Sequence, residues 1–222
     1  MKDAVRVLLC DDHKIVREGL KMVLADDPGL MVVAEADSGP GVLELVQSLQ
    51  GPQGVDVVLL DIAMPGMDGL NVLQNLRRDW PGLPVLMLST YPEKQYAVRC
   101  IQLGASGYLN KSTDTDALVA ALRRVAAGGV HVSPTTAEAL ASLVSQGRTK
   151  SGIEQLSHRE HQVYLLLTQG HSVSEIGAQL SLAPNTVSTY RARILEKTGT
   201  KNDVELALYA QSLSGGQSST FG

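Results

Sequence analysis

Five short apolar runs alternate with helical patterns through the first 127 residues. The runs occupy residues 5–9 (VRVLL), 31–36 (MVVAEA), 55–61 (VDVVLLD), 84–88 (PVLML) and 106–110 (SGYLN). Helix-periodic segments follow them at about 13–26, 39–50, 69–78, 94–103 and 114–127. Such alternation is typical of parallel strands, because each parallel connection needs a crossover of a dozen or more residues. The pattern therefore predicts an α/β fold with a doubly wound, five-stranded parallel sheet that carries helices on both faces.

The remainder of the chain has only helical patterns. Residues 134–145 (PTTAEALASLVS) predict a sixth helix, and the polar stretch 146–155 (QGRTKSGIEQ) predicts a linker. Helical periodicity returns at residues 158–168, 173–180, 184–197 and 201–212, which predicts a second, all-α domain of four helices. The predicted organisation is a sheet domain at 1–130, a helix and linker at 131–155, a helical domain at 156–213 and a flexible Gly/Ser-rich tail at 214–222.

The charge distribution indicates what kinds of partner the chain binds, and the cysteine content indicates the compartment in which it works. Residues 1–147 carry 12 basic and 17 acidic side chains, a net charge of −5, whereas residues 148–222 carry 7 and 6, a net charge of +1. This asymmetry suggests two modules with different partners. The sequence has no apolar stretch of about 18 residues and no signal-peptide pattern, so no membrane partner is expected. Cys10 and Cys100 are the only cysteines, which favours free thiols in a reducing cytoplasm.

Polar and charged side chains follow the ends of four predicted strands. They are Asp11, Asp12, Asp61, Ser89, Thr90 and Lys111. Parallel strands bring their carboxyl ends to one edge of the sheet, where ligands bind. Three neighbouring carboxylates repel one another unless a cation is present, and Mg²⁺ (or Mn²⁺) suits a site with few protein oxygens.

Phosphoryl transfer is the chemistry that this set of side chains suits. An aspartate can act as a nucleophile that forms an aspartyl-phosphate. A metal ion and Lys111 would then neutralise the phosphoryl oxygens. Taken alone, Asp61 could equally be a helix N-cap or a loop acid. The whole set, placed at successive strand ends, favours a phosphoacceptor site.

Four motifs in order carry a family resemblance: LLCDDHKIVREGL, VVLLDIAMPGMDGL, VLMLST and GASGYLNKS. Over about residues 3–127 the chain resembles the receiver domain of bacterial response regulators, which implies a flavodoxin-like sheet. The resemblance implies that Asp61 accepts a phosphoryl group from a sensor histidine kinase and that Lys111 contacts the phosphate. It also implies a metal site formed by Asp11, Asp12, Asp61 and the backbone carbonyl of Ala63.

The same resemblance implies a switch pair, Ser89 and Tyr108. The hydroxyl of Ser89 would turn toward the phosphate, and the ring of Tyr108 would follow inward. The alternative for Tyr108 is a core ring with its hydroxyl at the surface. Receivers often have a proline after the lysine, in a cis peptide, and this sequence has Ser112 there.

Two predicted helices, 173–180 and 184–197, are joined by the short turn SLA, which matches a helix-turn-helix. Val187, Tyr190 and Ile194 would face the core of the module. The other side of the helix at 184–197 is short and polar, which suits contacts with base edges in the major groove. Cations beside it are placed to contact DNA phosphates. The predicted DNA contacts are Asn185, Thr186, Ser188, Thr189, Arg191, Arg193, Lys197 and Lys201. A solvated helix face with ordinary charges is the alternative.

The string LSHREHQVYLLLTQGHSVSEIGAQLSLAPNTVSTYRARILEKTG resembles the LuxR-type DNA-binding domain. His158 stands where the family commonly has proline, and Ser188 and Tyr190 stand where it commonly has lysine and histidine. Joined to a receiver, this domain resembles the NarL/FixJ class of response regulators. That implies a transcriptional regulator, not an enzyme, which binds promoter DNA and forms a homodimer when phosphorylated. Two rival functions are an enzyme that hydrolyses phosphate esters and a phosphorylation-independent DNA-binding protein.

Overall fold

Five parallel strands form one sheet at the centre of the N-terminal part of the chain. They are β1 (Val5–Cys10), β2 (Leu30–Ala36), β3 (Val57–Asp61), β4 (Val85–Ser89) and β5 (Gly107–Asn110), in the order β2-β1-β3-β4-β5. The structure is a computed structural model that describes residues 4–145 and 152–214. Strand order reverses between β1 and β3, which is the crevice where such sheets bind ligands. The prediction of a doubly wound parallel sheet is confirmed.

Helices cover both faces of the sheet. They are α1 (Lys14–Ala25), α2 (Gly39–Ser48), α3 (Gly69–Asp79), α4 (Glu93–Gln102) and α5 (Thr115–Ala126). Alternate residues of β1 point to opposite faces: Val7 and Leu9 pack with α1 and α5, whereas Leu8 and Cys10 pack with α2, α3 and α4. Strands β3 and β4 are buried along their whole length. Continuous apolar runs were needed there because neither face of these strands meets water.

The segment after α5 packs back onto the sheet. His131 forms a parallel bridge to Gly107 at the edge of β5. Helix α6 (Pro134–Ser145) follows, and the buried hydroxyl of Thr136 donates to Glu93 Oε1 of α4 at 2.7 Å. These contacts explain why the first compact unit spans Met1–Gly147, with the second spanning Arg148–Gly222. The domain limits proposed from sequence stay predictions.

The second unit consists of α7 (His158–Thr168), α8 (Val173–Leu180), α9 (Pro184–Thr198) and α10 (Asp203–Ser214). Capping boxes begin α7 and α8, formed by Ser157 with Glu160 and by Ser172 with Glu175, as the S-x-x-E spacing predicts. The core of this unit is apolar and comprises Leu156, Val163, Tyr164, Leu167, Ile176, Val187, Ile194 and Leu206.

Part of the predicted linker is structured. Residues Gly152–Gln155 form a 3-10 turn, in which the N–H of Gly152 donates to the hydroxyl of Tyr209 at 3.1 Å. Ile153 packs against the helical core, which holds the turn in place. Residues 146–151 of the predicted linker and residues 215–222 of the predicted tail lie outside the described residues. Within the described residues, no helix has both the length and the apolar character that a membrane span requires.

Candidate functional site

Three carboxylates and one ammonium group meet at the carboxyl edge of the sheet. Asp11 follows β1 and Asp61 ends β3, on either side of the crevice, and their side chains are only 1% and 2% exposed. Lys111, which follows β5, places Nζ 2.5 Å from Asp11 Oδ2 and 2.8 Å from Asp61 Oδ2. Asp12 lies beside them and is partly exposed. The structure thus brings together the charged residues that the strand ends suggested.

Backbone contacts hold the acidic side chains in place. Asp61 Oδ1 accepts from the N–H of Ala63 at 3.3 Å, and Asp11 Oδ1 accepts from the N–H of His13 at 2.9 Å. Helix α3 begins directly against the end of β3: a Cβ atom on Gly69 would lie 2.0 Å from the carbonyl oxygen of Asp61. Glycine at position 69 therefore permits the loop after Asp61 to close tightly.

Burial and ion pairing set the protonation of this site. Burial raises the pKa of Asp61 above its usual value, and the hydrogen bond from Lys111 offsets that effect only in part. Burial acts to lower the pKa of Lys111, but its bonds to Asp11 and Asp61 outweigh burial and raise the pKa overall. Lys111 is therefore a cation at neutral pH. With three carboxylates around one ammonium, the site retains an excess of negative charge.

The donor atoms fit a small divalent cation. One carboxylate oxygen from each of Asp11, Asp12 and Asp61 and one ring nitrogen of His13 lie within 4.8 Å of one another. Two ligands on opposite sides of Mg²⁺ stand about 4.2 Å apart, so modest shifts suffice. Among the described residues, Asp11 Oδ2 and Asp12 Oδ1 are buried oxygens; Lys111 Nζ lies 2.5 Å from the first, and His13 Nδ1 lies 2.8 Å from the second. Such oxygens suit a hard ion.

Ser89 and Tyr108 are both buried and both contact Tyr91. The Oγ atom of Ser89 accepts from the N–H of Tyr91 at 3.2 Å. The hydroxyl of Tyr108 donates to the carbonyl of Tyr91 at 2.7 Å, and the side-chain amide of Asn110 donates to the same carbonyl at 3.0 Å. Tyr108 is thus a core ring whose hydroxyl is bonded inside the protein. Thr90 is exposed, and the Lys111–Ser112 peptide is trans.

Helix α9 buries one side and exposes the other. Val187 and Ile194 are fully buried, and Tyr190 packs against the same core. The exposed side carries most of the predicted base-contacting residues together with one cation: Asn185, Thr186, Ser188, Thr189 and Arg193. This distribution matches the faces that the helical periodicity predicted.

The cations predicted to contact DNA differ in their surroundings. Arg191 Nε lies 2.8 Å from Asp203 Oδ1, and Lys197 Nζ lies 2.6 Å from Glu160 Oε2. Lys201 is exposed just beyond the end of α9. A helical wheel shows the side on which a cation lies, but it cannot show an acidic partner on another helix.

Glu160 joins the start of α7 to α9. Its carboxylate accepts from the N–H of Ser157 at 2.6 Å and from Lys197 at 2.6 Å. Burial raises the pKa of Glu160, but these bonds outweigh burial and lower it overall. A carboxyl with a lowered pKa in the fold stabilises the fold above its unfolded pKa and loses that effect as pH falls through the folded value.

We expect Glu160→Gln to lower the free energy of unfolding of the helical unit by about 1–3 kcal/mol at pH 7. The difference in the free energy of unfolding between Glu160→Gln and the wild type should shrink below about pH 4, because the Glu160 carboxyl becomes protonated there. Urea unfolding of the intact chain, followed by far-UV circular dichroism at both pH values, measures it. Glu138→Gln, at an exposed position of α6, is the control and should change little. An equal loss at both pH values would contradict the ion pair.

Comparison with known proteins identifies the family. Residues 7–123 match the family described as "Response regulator receiver domain", and residues 154–210 match "Bacterial regulatory proteins, luxR family". The response regulator GacA of Pseudomonas aeruginosa is 41% identical over 207 residues, which cover 93% of this chain and 95% of GacA. The chain belongs to the two-component response regulators. Its receiver and LuxR-type domains make it a member of the NarL/FixJ class and a phosphorylation-regulated transcription factor.

Solved structures of response regulators resemble this one along most of the chain. The crystal structure of ChrA, from a heme-sensing two-component system, is 34% identical, covers 95% of this chain and 98% of ChrA, and has a TM-score of 0.51. RcsB from Salmonella enterica serovar Typhimurium, bound to the promoter rprA with the phosphomimetic BeF3-, is 25% identical. That match covers 93% of this chain and 98% of RcsB, with a TM-score of 0.55.

Two residues at the site of this response regulator were not predicted from the sequence. His13 places Nδ1 2.8 Å from Asp12 Oδ1, and its position directly after two aspartates was the available signal. Tyr91 links Ser89 to Tyr108 through its backbone N–H and C=O. No side-chain pattern could have indicated Tyr91, because every residue type except proline offers both groups.

Proposed function

We propose that Asp61 of the receiver, residues 1–130, accepts a phosphoryl group from a sensor histidine kinase. One observation carries the proposal: the buried carboxylate of Asp61 lies 2.8 Å from Lys111, within the same cluster as Asp11 and Asp12. An oxygen of Asp61 would attack phosphorus in line, breaking the bond from phosphorus to the histidine nitrogen of the kinase.

Lys111 would pair with the phosphoryl oxygens as they leave the histidine. Asp11, Asp12, Asp61 and the carbonyl of Ala63 would hold Mg²⁺, or Mn²⁺ in its place. When bound, the ion supplies further neutralisation of phosphoryl charge. The excess of negative charge over the single ammonium group supports a cation at this position.

The acceptor residue can be identified chemically. After incubation with acetyl phosphate and Mg²⁺, reduction with tritiated borohydride converts an aspartyl-phosphate to homoserine. Peptide sequencing should then find the label at position 61. Label at any other aspartate would refute the assignment of Asp61.

We propose that Ser89 and Tyr108 form the switch, with Tyr91 between them. In the described state, Ser89 accepts a hydrogen bond from Tyr91. A phosphoryl group on Asp61 would offer the Ser89 hydroxyl a stronger, charged acceptor. If the Ser89 hydroxyl turned toward the phosphoryl group, the N–H of Tyr91 would lose its hydrogen-bond acceptor. The loop that leads into α4 would then shift. The changed surface would favour a homodimer and thereby control the binding of promoter DNA.

For the DNA-binding domain, residues 156–213, we propose that α9 enters the major groove of promoter DNA. Asn185, Thr186, Ser188 and Thr189 would face base edges. Arg193 and Lys201 would contact phosphates, and Arg191 and Lys197 would do so while sharing their carboxylate partners. The related regulator RcsB binds a promoter in its solved complex, which supports this use of the fold. A homodimer would bind two half-sites about one DNA turn apart.

Arg193→Ala tests the phosphate contact. We expect affinity for any duplex to fall about tenfold, with a salt slope smaller by roughly one unit, because one counterion fewer is released. Fluorescence anisotropy titrations between about 50 and 200 mM salt measure both quantities. Arg78→Ala is the matched control, since Arg78 is exposed and pairs with its neighbour Asp79 in the first unit. An unchanged salt slope for Arg193→Ala would contradict the contact.

The two rival functions have less support. We propose that the protein is not an enzyme with a small-molecule substrate, because its receiver domain is joined to a domain of the luxR family of bacterial regulatory proteins. Phosphorylation-independent DNA binding is disfavoured by the intact set of Asp11, Asp12, Asp61 and Lys111, which such a protein would not need. Steady turnover of a phosphate monoester would restore the enzyme hypothesis.

A further inference from the structure

Arg17, in the first half of α1, contacts the backbone of the acidic cluster. Its Nη1 atom donates to the carbonyl oxygen of Asp11 at 2.6 Å. That carbonyl belongs to the peptide bond that joins Asp11 to Asp12. The orientation of this peptide sets the direction in which both carboxylates point, so Arg17 acts on two cation-binding side chains through one hydrogen bond.

The rest of the Arg17 side chain is anchored to β2. Its Nε atom lies 3.6 Å from Glu35 Oε2, and Lys21 donates to the other carboxylate oxygen of Glu35 at 2.8 Å. The N–H of Asp11 also bonds to β2, at the carbonyl of Ala36, 3.2 Å away. The guanidinium of Arg17, on α1, therefore contacts both the loop after β1 and strand β2.

An ordinary surface ion pair does not account for this arrangement. Arg17 is only 14% exposed in its side chain, whereas surface pairs of arginine are usually well solvated. Its shortest polar contact is to a backbone carbonyl rather than to the carboxylate of Glu35. The fork of an arginine suits two such acceptors at once, which lysine cannot match.

We propose that Arg17 is a positioning residue for the divalent-cation site of this receiver: by holding the Asp11–Asp12 peptide, it aims the two carboxylates at the ion. This inference rests on the proposed function of the acidic cluster. It assigns Arg17 no contact with the phosphoryl group or with the ion. Residues that orient ligands in this way commonly change metal affinity by a factor of 10 or more.

Electrostatics and positioning predict opposite effects for the loss of Arg17. Removing a positive charge near a cation site should by itself strengthen cation binding. Loosening the Asp11–Asp12 peptide should weaken it. The sign of the change in affinity therefore separates a positioning role from a role as a nearby charge, and also from a role in folding alone.

The test uses the full chain and Mn²⁺, whose free concentration is read by electron paramagnetic resonance. Arg17→Met should weaken Mn²⁺ binding about tenfold and raise the Mg²⁺ concentration for half-maximal labelling by acetyl phosphate by a similar factor. The maximal labelling rate at saturating Mg²⁺ should stay close to that of the wild type. Arg17→Lys should recover part of the affinity, because its ammonium can still donate to the carbonyl.

Glu35→Gln is the matched control, since it breaks the outer pair and keeps the bond to Asp11. Its Mn²⁺ affinity should remain close to that of the wild type. Unchanged or tighter Mn²⁺ binding by Arg17→Met would overturn the proposal. If Arg17→Met does not fold, as judged by circular dichroism, equal Mn²⁺ affinity of Arg17→Lys and Arg17→Ala would overturn it instead. Absence of labelling in the wild type would refute the phosphoacceptor function and leave the Mn²⁺ result to stand separately.

Discussion

Asp61→Asn is expected to abolish labelling of the protein by acetyl phosphate in the presence of Mg²⁺. The amide that replaces the carboxylate cannot attack phosphorus as an anion, and Lys111 loses one of its two carboxylate partners. Labelling should fall from about one phosphoryl group per chain to background, which intact-mass spectrometry measures directly.

The same substitution should not unfold the protein. Burial raises the pKa of Asp61, so its contribution to stability is present below the unfolded pKa and is lost as pH rises through the folded value. At neutral pH without metal, the ionised carboxylate thus costs stability, and Asp61→Asn should unfold at the same or a higher temperature.

A matched carboxylate elsewhere provides the control for labelling. Asp79→Asn removes an exposed side chain that pairs only with its neighbour Arg78 among the contacts described, and it should be labelled like the wild type. Persistent stoichiometric labelling of Asp61→Asn would refute the assignment, whatever the behaviour of Asp79→Asn.

Gly69→Ala should have the largest effect on stability. The added Cβ would stand 2.0 Å from the carbonyl oxygen of Asp61 and 2.9 Å from the Cα of Ile62, both backbone atoms. Neither can move without displacing the end of β3, so we expect a loss of about 3 kcal/mol or more in the free energy of unfolding. Labelling of Asp61 should also fall, because the acceptor carboxylate moves with that strand end.

Gly19→Ala is the control for this substitution. A Cβ on Gly19 would meet nothing within 4 Å, and alanine favours a helix such as α1 by about 0.5–1 kcal/mol over glycine. Gly19→Ala should therefore unfold at slightly higher urea, and Gly69→Ala at much lower urea. Equal midpoints for the two variants would show that the start of α3 is not packed against Asp61 as described.

The sheet and its acidic edge follow closely from the sequence. Apolar runs such as VVLL at 57–60 specify buried parallel strands, and once those strands are parallel, Asp11, Asp61 and Lys111 must end at one edge. Local signals were enough here because strand direction, rather than any particular side-chain contact, brings the charges together.

Contacts between distant elements could not be predicted in this way. The hydrogen bond from Thr136 to Glu93 joins residues 43 positions apart, and the bridge of His131 to Gly107 depends on where α5 ends. The pairing of Lys197 with Glu160 depends on how α9 crosses α7. Each requires tertiary packing, which periodicity does not encode.

Phosphorylation of Asp61 is expected to control DNA binding, and DNA titrations of the phosphorylated and unphosphorylated protein measure this effect. A duplex selected from a random-sequence pool by the phosphorylated protein is titrated with the full chain, with and without acetyl phosphate and Mg²⁺, for the wild type and for Asp61→Asn. Phosphorylation should raise the affinity of the wild type at least about fivefold and leave that of Asp61→Asn unchanged. Equal affinity of the fully labelled and unlabelled wild type would show that phosphorylation does not control DNA binding.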